Sequence, residues 1–230
     1  IKKLIKKTKK KLIVNSYRPF LKNYKQIKEI AKKNNEKFHS VIINSPSAGL
    51  GNMGSVFFDL GIFFLGKKIK SLFCKIDKTN TINPRGKKFR DPGGYGVINF
   101  LNSNRLIFDT SEDTGLPYLI IIKTSNLEFV MDEINNHLYY RKRPKKMEKK
   151  PLYYYLFKPD LIKLPIFEKY NPIKFTQITI KKIFQKNFKS NLNESIIVMK
   201  LLIGCHVADK LKKEIIFNSL KDKKRYIKFA

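Results

Sequence analysis

Residues 41–77, VIINSPSAGLGNMGSVFFDLGIFFLGKKIKSLFCKID, carry the pattern from which the fold class follows. The β-branched run at 38–44 predicts a strand, and Ser45-Pro46-Ser47 ends it. Residues 54–65 predict a buried helix, and the alternation over 69–76 predicts a second strand. Upstream, Leu21, Tyr24, Ile27, Ile30 and Ala31 recur at helical spacing over 21–34. Downstream, strands are expected at 95–101, 105–108 and 118–124. A helix is expected over 126–138, with Asn126 as its cap, Glu128 in its first turn, and Leu127, Val130, Met131, Ile134 and Leu138 on one face.

The expected fold class is therefore α+β, a small mixed sheet with packed helices, occupying residues 21–140. Residues 1–20 read as a basic N-terminal arm. Residues 141–172 read as a basic and proline-rich extension, with five prolines in 144–172 that predict a chain lying on another surface. Residues 173–230 read as a C-terminal helical region, with helices at 173–188 and 205–220. Cys74 and Cys205 stand alone in apolar or mixed runs and are expected to be reduced and buried. No apolar run reaches the roughly 18 residues that span a bilayer, and no secretory signal is expected.

Charge comes in blocks. The chain has a formal net charge of +31, which calls for a polyanionic partner. Residues 1–38 hold 14 Lys and Arg against Glu29 and Glu36, residues 39–66 hold none, and residues 91–140 reverse sign with seven acids. Residues 141–150, RKRPKKMEKK, are again strongly basic. Lys outnumbers Arg 42 to 7, Ala occurs 4 times, and the first residue is Ile. That usage fits an AT-rich gene, and the Ile a processed end or a non-ATG start.

Two functional readings follow. In the first, Gly49, Gly51 and Gly54 form a GxGxxG between a strand and a helix, and Asp77 closes the second strand where an acid receives a ribose hydroxyl. The hexapeptide GLGNMG resembles the nucleotide loop of the 3-hydroxyisobutyrate and 6-phosphogluconate dehydrogenase family over residues 41–77. That resemblance implies an NAD(P)-binding enzyme, although Ser45-Pro46-Ser47-Ala48 intervenes between strand and loop. The glycines also suit a tight turn.

In the second reading, basic side chains interleave with aromatic ones, a combination suited to phosphate neutralisation and base stacking. Candidate RNA contacts are Lys2, Lys3, Lys6, Lys7, Lys9, Lys10, Lys11 and Arg18 in the arm, and Lys67 and Lys68 beyond the first helix. Further candidates are Arg85, Lys87, Lys88, Phe89, Arg90 and Tyr95 in one loop, and Arg141, Lys142, Arg143, Lys145 and Lys146 in another. In composition and style the whole chain resembles organelle-encoded ribosomal proteins. The resemblance implies a structural constituent of a mitochondrial ribosome in the matrix, bound to ribosomal RNA and neighbouring ribosomal proteins. It implies no enzymatic role, no cofactor, no metal and no small-molecule substrate. This second reading is the principal expectation. A third, a basic subunit of an organellar membrane complex, stays open through the amphipathic spacing of residues 1–13.

His39, His137 and His206 are expected to be structural, and the DTSED run at 109–113 a solvated turn or a contact to a basic neighbour. Ser45, Ser47 and Ser55 have no suitably placed base.

Overall fold

A computed structural model describes residues 7–8, 11–78, 86, 89–186 and 189–220. The expectations on Lys2, Lys3, Lys6, Lys9, Lys10, Arg85, Lys87 and Lys88 lie outside the described residues. Among the described residues nine strands form one sheet: β1 Ser40–Asn44, β2 Ile69–Ile76, β3 Gly94–Phe100, β4 Arg105–Asp109, β5 Leu119–Lys123, β6 Leu127–Asp132, β7 His137–Lys142, β8 Asp160–Lys163 and β9 Ile215–Ile216. Their order is β8-β7-β6-β5-β1-β4-β3-β2-β9. Only β1 and β4 pair in parallel, and every other neighbouring pair is antiparallel.

Five helices accompany the sheet among the described residues: α1 Lys22–Lys33, α2 Ser55–Leu65, α3 Lys145–Glu148, α4 Pro172–Lys181 and α5 Leu192–Leu211. α1 sends Tyr24, Ile27 and Ala31 into the core from one stripe. α2 buries Phe57, Phe58, Leu60, Ile62, Phe64 and Leu65 between the sheet and α5, and so is apolar nearly all round. It sits close to β4 because Gly61 faces Leu106, whose Cδ2 lies 2.8 Å from where a Cβ would stand. Gly61→Val is therefore expected to push α2 off the sheet and to cost about 1–3 kcal/mol, read from urea unfolding. The pair Cys74 and Cys205 is reduced and buried, and joins β2 to α5.

The sheet has two unlike faces. Leu72, Ile98, Phe108, Val41, Ile43, Ile120, Phe129 and Leu138 point into the helical core. On the other face, strand register lines up Phe73, Val97, Ile107, Ile42, Ile121, Val130 and Tyr139 as one apolar row across seven strands. Phe73 is 39% exposed there. No described helix covers this row, and its members other than Phe73 and Val130 are half-buried.

The broad α+β expectation holds, and so do the elements placed at 21–34, 38–44, 54–65 and 69–76. The sheet is larger than the small one expected. Residues 126–138 form most of the β6–β7 hairpin instead of a helix, turning at Glu133–Asn136, with Asn136 at φ 55°. Leu127, Phe129 and Met131 enter the core at the period of two that belongs to a strand. The last long helix begins at Leu192 and ends at Leu211, and Lys212 in the left-handed region turns the chain into β9.

The proline-rich segment lies on its own body. β8 is an edge strand on β7, where Pro is tolerated just outside the ladder. Asn23 and Gln26 of α1 then hold the following residues: Asn23 Oδ1 accepts from Phe167 N at 2.8 Å, and Gln26 Nε2 donates to Pro165 O at 2.9 Å.

Candidate functional site

β1 and β4 are parallel, and β2 runs the same way with β3 between it and β4, so all three end at one edge of the sheet. That edge carries the glycine turn, Gly49–Gly54, a single π-helical segment leading into α2. It also carries Asp77 after β2 and Asp109 at the end of β4. The end of α5 reaches the same edge, where Asp209 Oδ1 accepts from Ile76 N at 3.0 Å.

The turn is closed by residues the sequence did not single out. Asp91 accepts from Gly51 N at 2.6 Å and from Asn52 N at 2.9 Å, and Leu50 N donates to Pro92 O at 3.0 Å. Gly49, at φ +71°, is where a Cβ would run into the Asp91 carboxylate. A short segment, 91–93, thus stitches the turn to β2, because Asp77 N donates to Gly93 O at 3.1 Å. Asp77 itself accepts from Glu112 N at 3.0 Å. Asp91→Asn is expected to lower stability by about 1.5–3 kcal/mol through its charge-assisted bonds, measured by urea unfolding.

These contacts decide whether a dinucleotide fits the turn. A pyrophosphate needs free backbone amides at the start of the helix, and here two of them hold an internal carboxylate. It also needs the two strands of the unit side by side in a parallel sheet, whereas β4 and β3 separate β1 from β2. Gly49, Gly51, Gly54 and Asp77 share one edge of the sheet and do not form a cradle for a pyrophosphate.

His206 of α5 also belongs to this edge. Burial lowers its pKa, and the carboxylates of Asp209 and Asp91 act in the opposite sense. A half-buried imidazole beside carboxylates is a standard proton-handling arrangement. Nothing in the sequence marks it, because Asp91 lies more than a hundred residues away.

The expected RNA contacts are scattered and partly internal. Arg18 is 1% exposed, donates from Nε to Glu133 Oε1 at 3.1 Å and from Nη2 to Glu133 Oε2 at 2.7 Å, and is closed off from any external polyanion. Lys11 Nζ donates to Ile183 O at 3.0 Å, Lys67 pairs with Glu194, and Arg141 pairs with Glu128. Arg143 is buried. Lys7, Lys68, Arg90, Lys145 and Lys146 are exposed, and so are Phe89 and Tyr95, with Tyr95 on the uncovered sheet face. Lys142 is half-buried, bonded to Asn34 Oδ1 at 3.1 Å and paired with Glu148 at 3.5 Å.

No known sequence family matches this chain, and no curated protein does. Solved structures do share its fold. An NAD-binding oxidoreductase from Klebsiella pneumoniae superposes with a TM-score of 0.75 at 10% identity, over 94% of this chain and 69% of its own. An oxidoreductase from Agrobacterium radiobacter, solved with NAD+, L-tartaric acid and magnesium, gives 0.65 at 11% identity over 95% and 68%. A super-repressor mutant of Gal80p from Saccharomyces cerevisiae gives 0.70 at 11% identity over 95% and 68%. This likeness of fold overturns the principal expectation of a ribosomal RNA-binding constituent with no enzymatic role and no small-molecule substrate. At these identities the likeness is one of fold, which this chain shares with these oxidoreductases and with Gal80p.

Proposed function

We propose that this chain is the sheet domain of an NAD(P)-linked oxidoreductase, and that it presents the substrate-side wall of the active site at the edge where β1, β2 and β4 end. The observation that carries this reading is the fold likeness over nearly the whole chain to proteins described as NAD-binding. About a third of each of those proteins lies outside the match. The described sheet has a single parallel pair, so a parallel α/β unit outside it is the place for the nucleotide. What this chain supplies is the glycine-turn edge, with His206 as the proton-handling group and Asp91 and Asp209 setting its charge balance. Binding at the carboxyl ends of parallel strands is the general preference of α/β sheets. The substrate class is a small hydroxyl-bearing molecule, since a neutral imidazole beside carboxylates is suited to taking a hydroxyl proton.

Thermal unfolding of the chain with millimolar ligands tests this. L-tartrate or a related small hydroxy acid or polyol is expected to give a saturable rise in stability, about 2.7 kcal/mol at a hundred times Kd, that His206→Ala abolishes. NAD(P)H alone is expected to give none. A saturable NAD(P)H shift lost in Gly51→Val would return the nucleotide to the glycine turn and overturn this division of labour. Absence of any His206-dependent shift across a hydroxy-acid and polyol series would overturn the substrate-side role.

A further inference from the structure

Among the described residues two arginines are buried, in opposite electrostatic situations. Arg18 is neutralised by Glu133. Arg143 is 5% exposed, and among the described residues no carboxylate pairs with it. Its Nη2 donates only to main-chain oxygens, of Pro151 at 2.8 Å, Lys150 at 3.1 Å and Tyr154 at 3.4 Å, and its guanidinium lies 5.6 Å from the Phe157 ring centre. Removing an arginine from water without an anion costs several kcal/mol unless an anion arrives from elsewhere.

Arg143 lines a cleft of about 520 Å³ between the ends of β5–β7 and the strap 150–159, well away from the glycine turn. Lys123 and Arg141 line it as well, both paired with Glu128, its one lining acid; Lys142 adds a cation paired with Glu148, and Tyr154 and Tyr155 supply aromatic faces from the strap. Tyr155 is 76% exposed. Under the strap two polar atoms have no partner, Arg143 Nε and Asn126 Oδ1. They belong to neighbouring residues, because Arg143 N donates to Asn126 O at 2.9 Å. The amide orientation of Asn126 is set by Glu36, whose Oε1 accepts from Nδ2 at 2.6 Å, leaving Oδ1 as an unused acceptor. One unused donor and one unused acceptor on hydrogen-bonded neighbours are the two groups that a planar ring carrying both an acceptor and a donor would satisfy.

We propose that this cleft is a ligand site for a small planar anion, a nucleoside monophosphate being the chemical class that meets all of its features. The ring edge pairs with Arg143 Nε and Asn126 Oδ1, its face stacks on Tyr155, and the phosphate is received by Lys142 and the Arg143 charge. Both unpaired atoms are closed to water beneath the strap, so the strap shifts outward as the ligand enters. The site is independent of the oxidoreductase reading.

Isothermal titration of the full chain at physiological salt, with AMP, UMP, ribose 5-phosphate and inorganic phosphate as probes, tests the proposal. At least one nucleotide is expected to bind with one site per chain and a Kd on the order of tens of micromolar, as for a ligand of that size. Ribose 5-phosphate and inorganic phosphate are expected to bind at least about tenfold more weakly, because they lack the stacked ring. Tyr155→Ala and Lys142→Ala should each weaken nucleotide binding by about tenfold, the first through stacking and the second through charge. Lys32→Ala, on the exposed end of α1, should leave it unchanged and so exclude diffuse attraction to a basic chain. Arg143→Ala risks the strap itself, so Tyr155→Ala is the deciding variant. Equal binding of phosphate and nucleotides, no saturable binding with the fold intact by circular dichroism, or binding indifferent to Tyr155→Ala overturns the proposal.

Discussion

Arg18→Met is expected to lower the unfolding free energy by about 3–5 kcal/mol, since it leaves the buried Glu133 carboxylate without its partner. Glu133 is 6% exposed and sits in the β6–β7 turn. The Tyr24 and Tyr118 hydroxyls both donate to it, and Arg18 Nη2 donates to Tyr118 Oη at 3.0 Å. Burial raises the pKa of both tyrosines, the neighbouring carboxylate raises them further, and they stay protonated donors. A loss of that size is a large share of a total stability of roughly 5–15 kcal/mol. The companion variant Arg18→Met/Glu133→Gln removes both charges and keeps an acceptor for the tyrosines, so it is expected to recover at least half of the loss. Urea unfolding of both variants checks the pair. A single variant as stable as the parent would show that Arg18 is solvated in solution, and would reopen its role as a surface contact.

The second large effect concerns Asp59 of α2, buried under the segment that leads into Arg18. Burial raises its pKa from 3.8 to about 6, Glu194 adds to the rise, and the Ser16 hydroxyl and Arg18 oppose it. The folded state therefore holds the proton more tightly than the unfolded chain. Its contribution is fully present below the unfolded pKa of 3.8, declines as pH rises, and is gone above about 6. That rise corresponds to about 3 kcal/mol, of which roughly 2 kcal/mol falls between about pH 4 and pH 7. Asp59→Asn does not titrate and can still accept from Ser16. The parent-minus-variant difference in unfolding free energy should fall by roughly 2 kcal/mol across that interval. Urea titrations at several pH values measure it directly, and a difference independent of pH would mean that Asp59 ionises as freely folded as unfolded.

Much of the fold was legible where local pattern and tertiary position agree. Residues 21–34 and 69–76 each have one period of burial and one structural outcome, and 38–44 and 54–65 are short apolar runs set off by turn residues. The hairpin was missed because Leu127, Val130, Met131, Ile134 and Leu138 satisfy helical spacing while Leu127, Phe129 and Met131 satisfy strand spacing, and sheet neighbours on both sides decided between them. Asn135-Asn136 was the available turn signal. The charge blocks misled for a related reason. Read along the chain they suggested arms and a body, yet the acidic block supplies Glu133 to Arg18, Glu128 to Lys123 and Arg141, and Asp91 to the glycine turn. Partners as far as 40 and 115 residues apart are invisible to a window, so the same fact hid both the buried ion pair and the plug in the turn.

The apolar row across the uncovered sheet face gives the chain's excess charge a different meaning. With strands about 4.8 Å apart, seven side chains in register form a stripe roughly 30 Å long. An uncovered stripe of that length favours contact between copies. The +31 charge opposes it, and its reach shrinks to about 10 Å at 0.1 M salt. The lysine-rich composition thus acts as a colloidal brake on a surface that would otherwise associate, and ionic strength sets how firmly that brake is held.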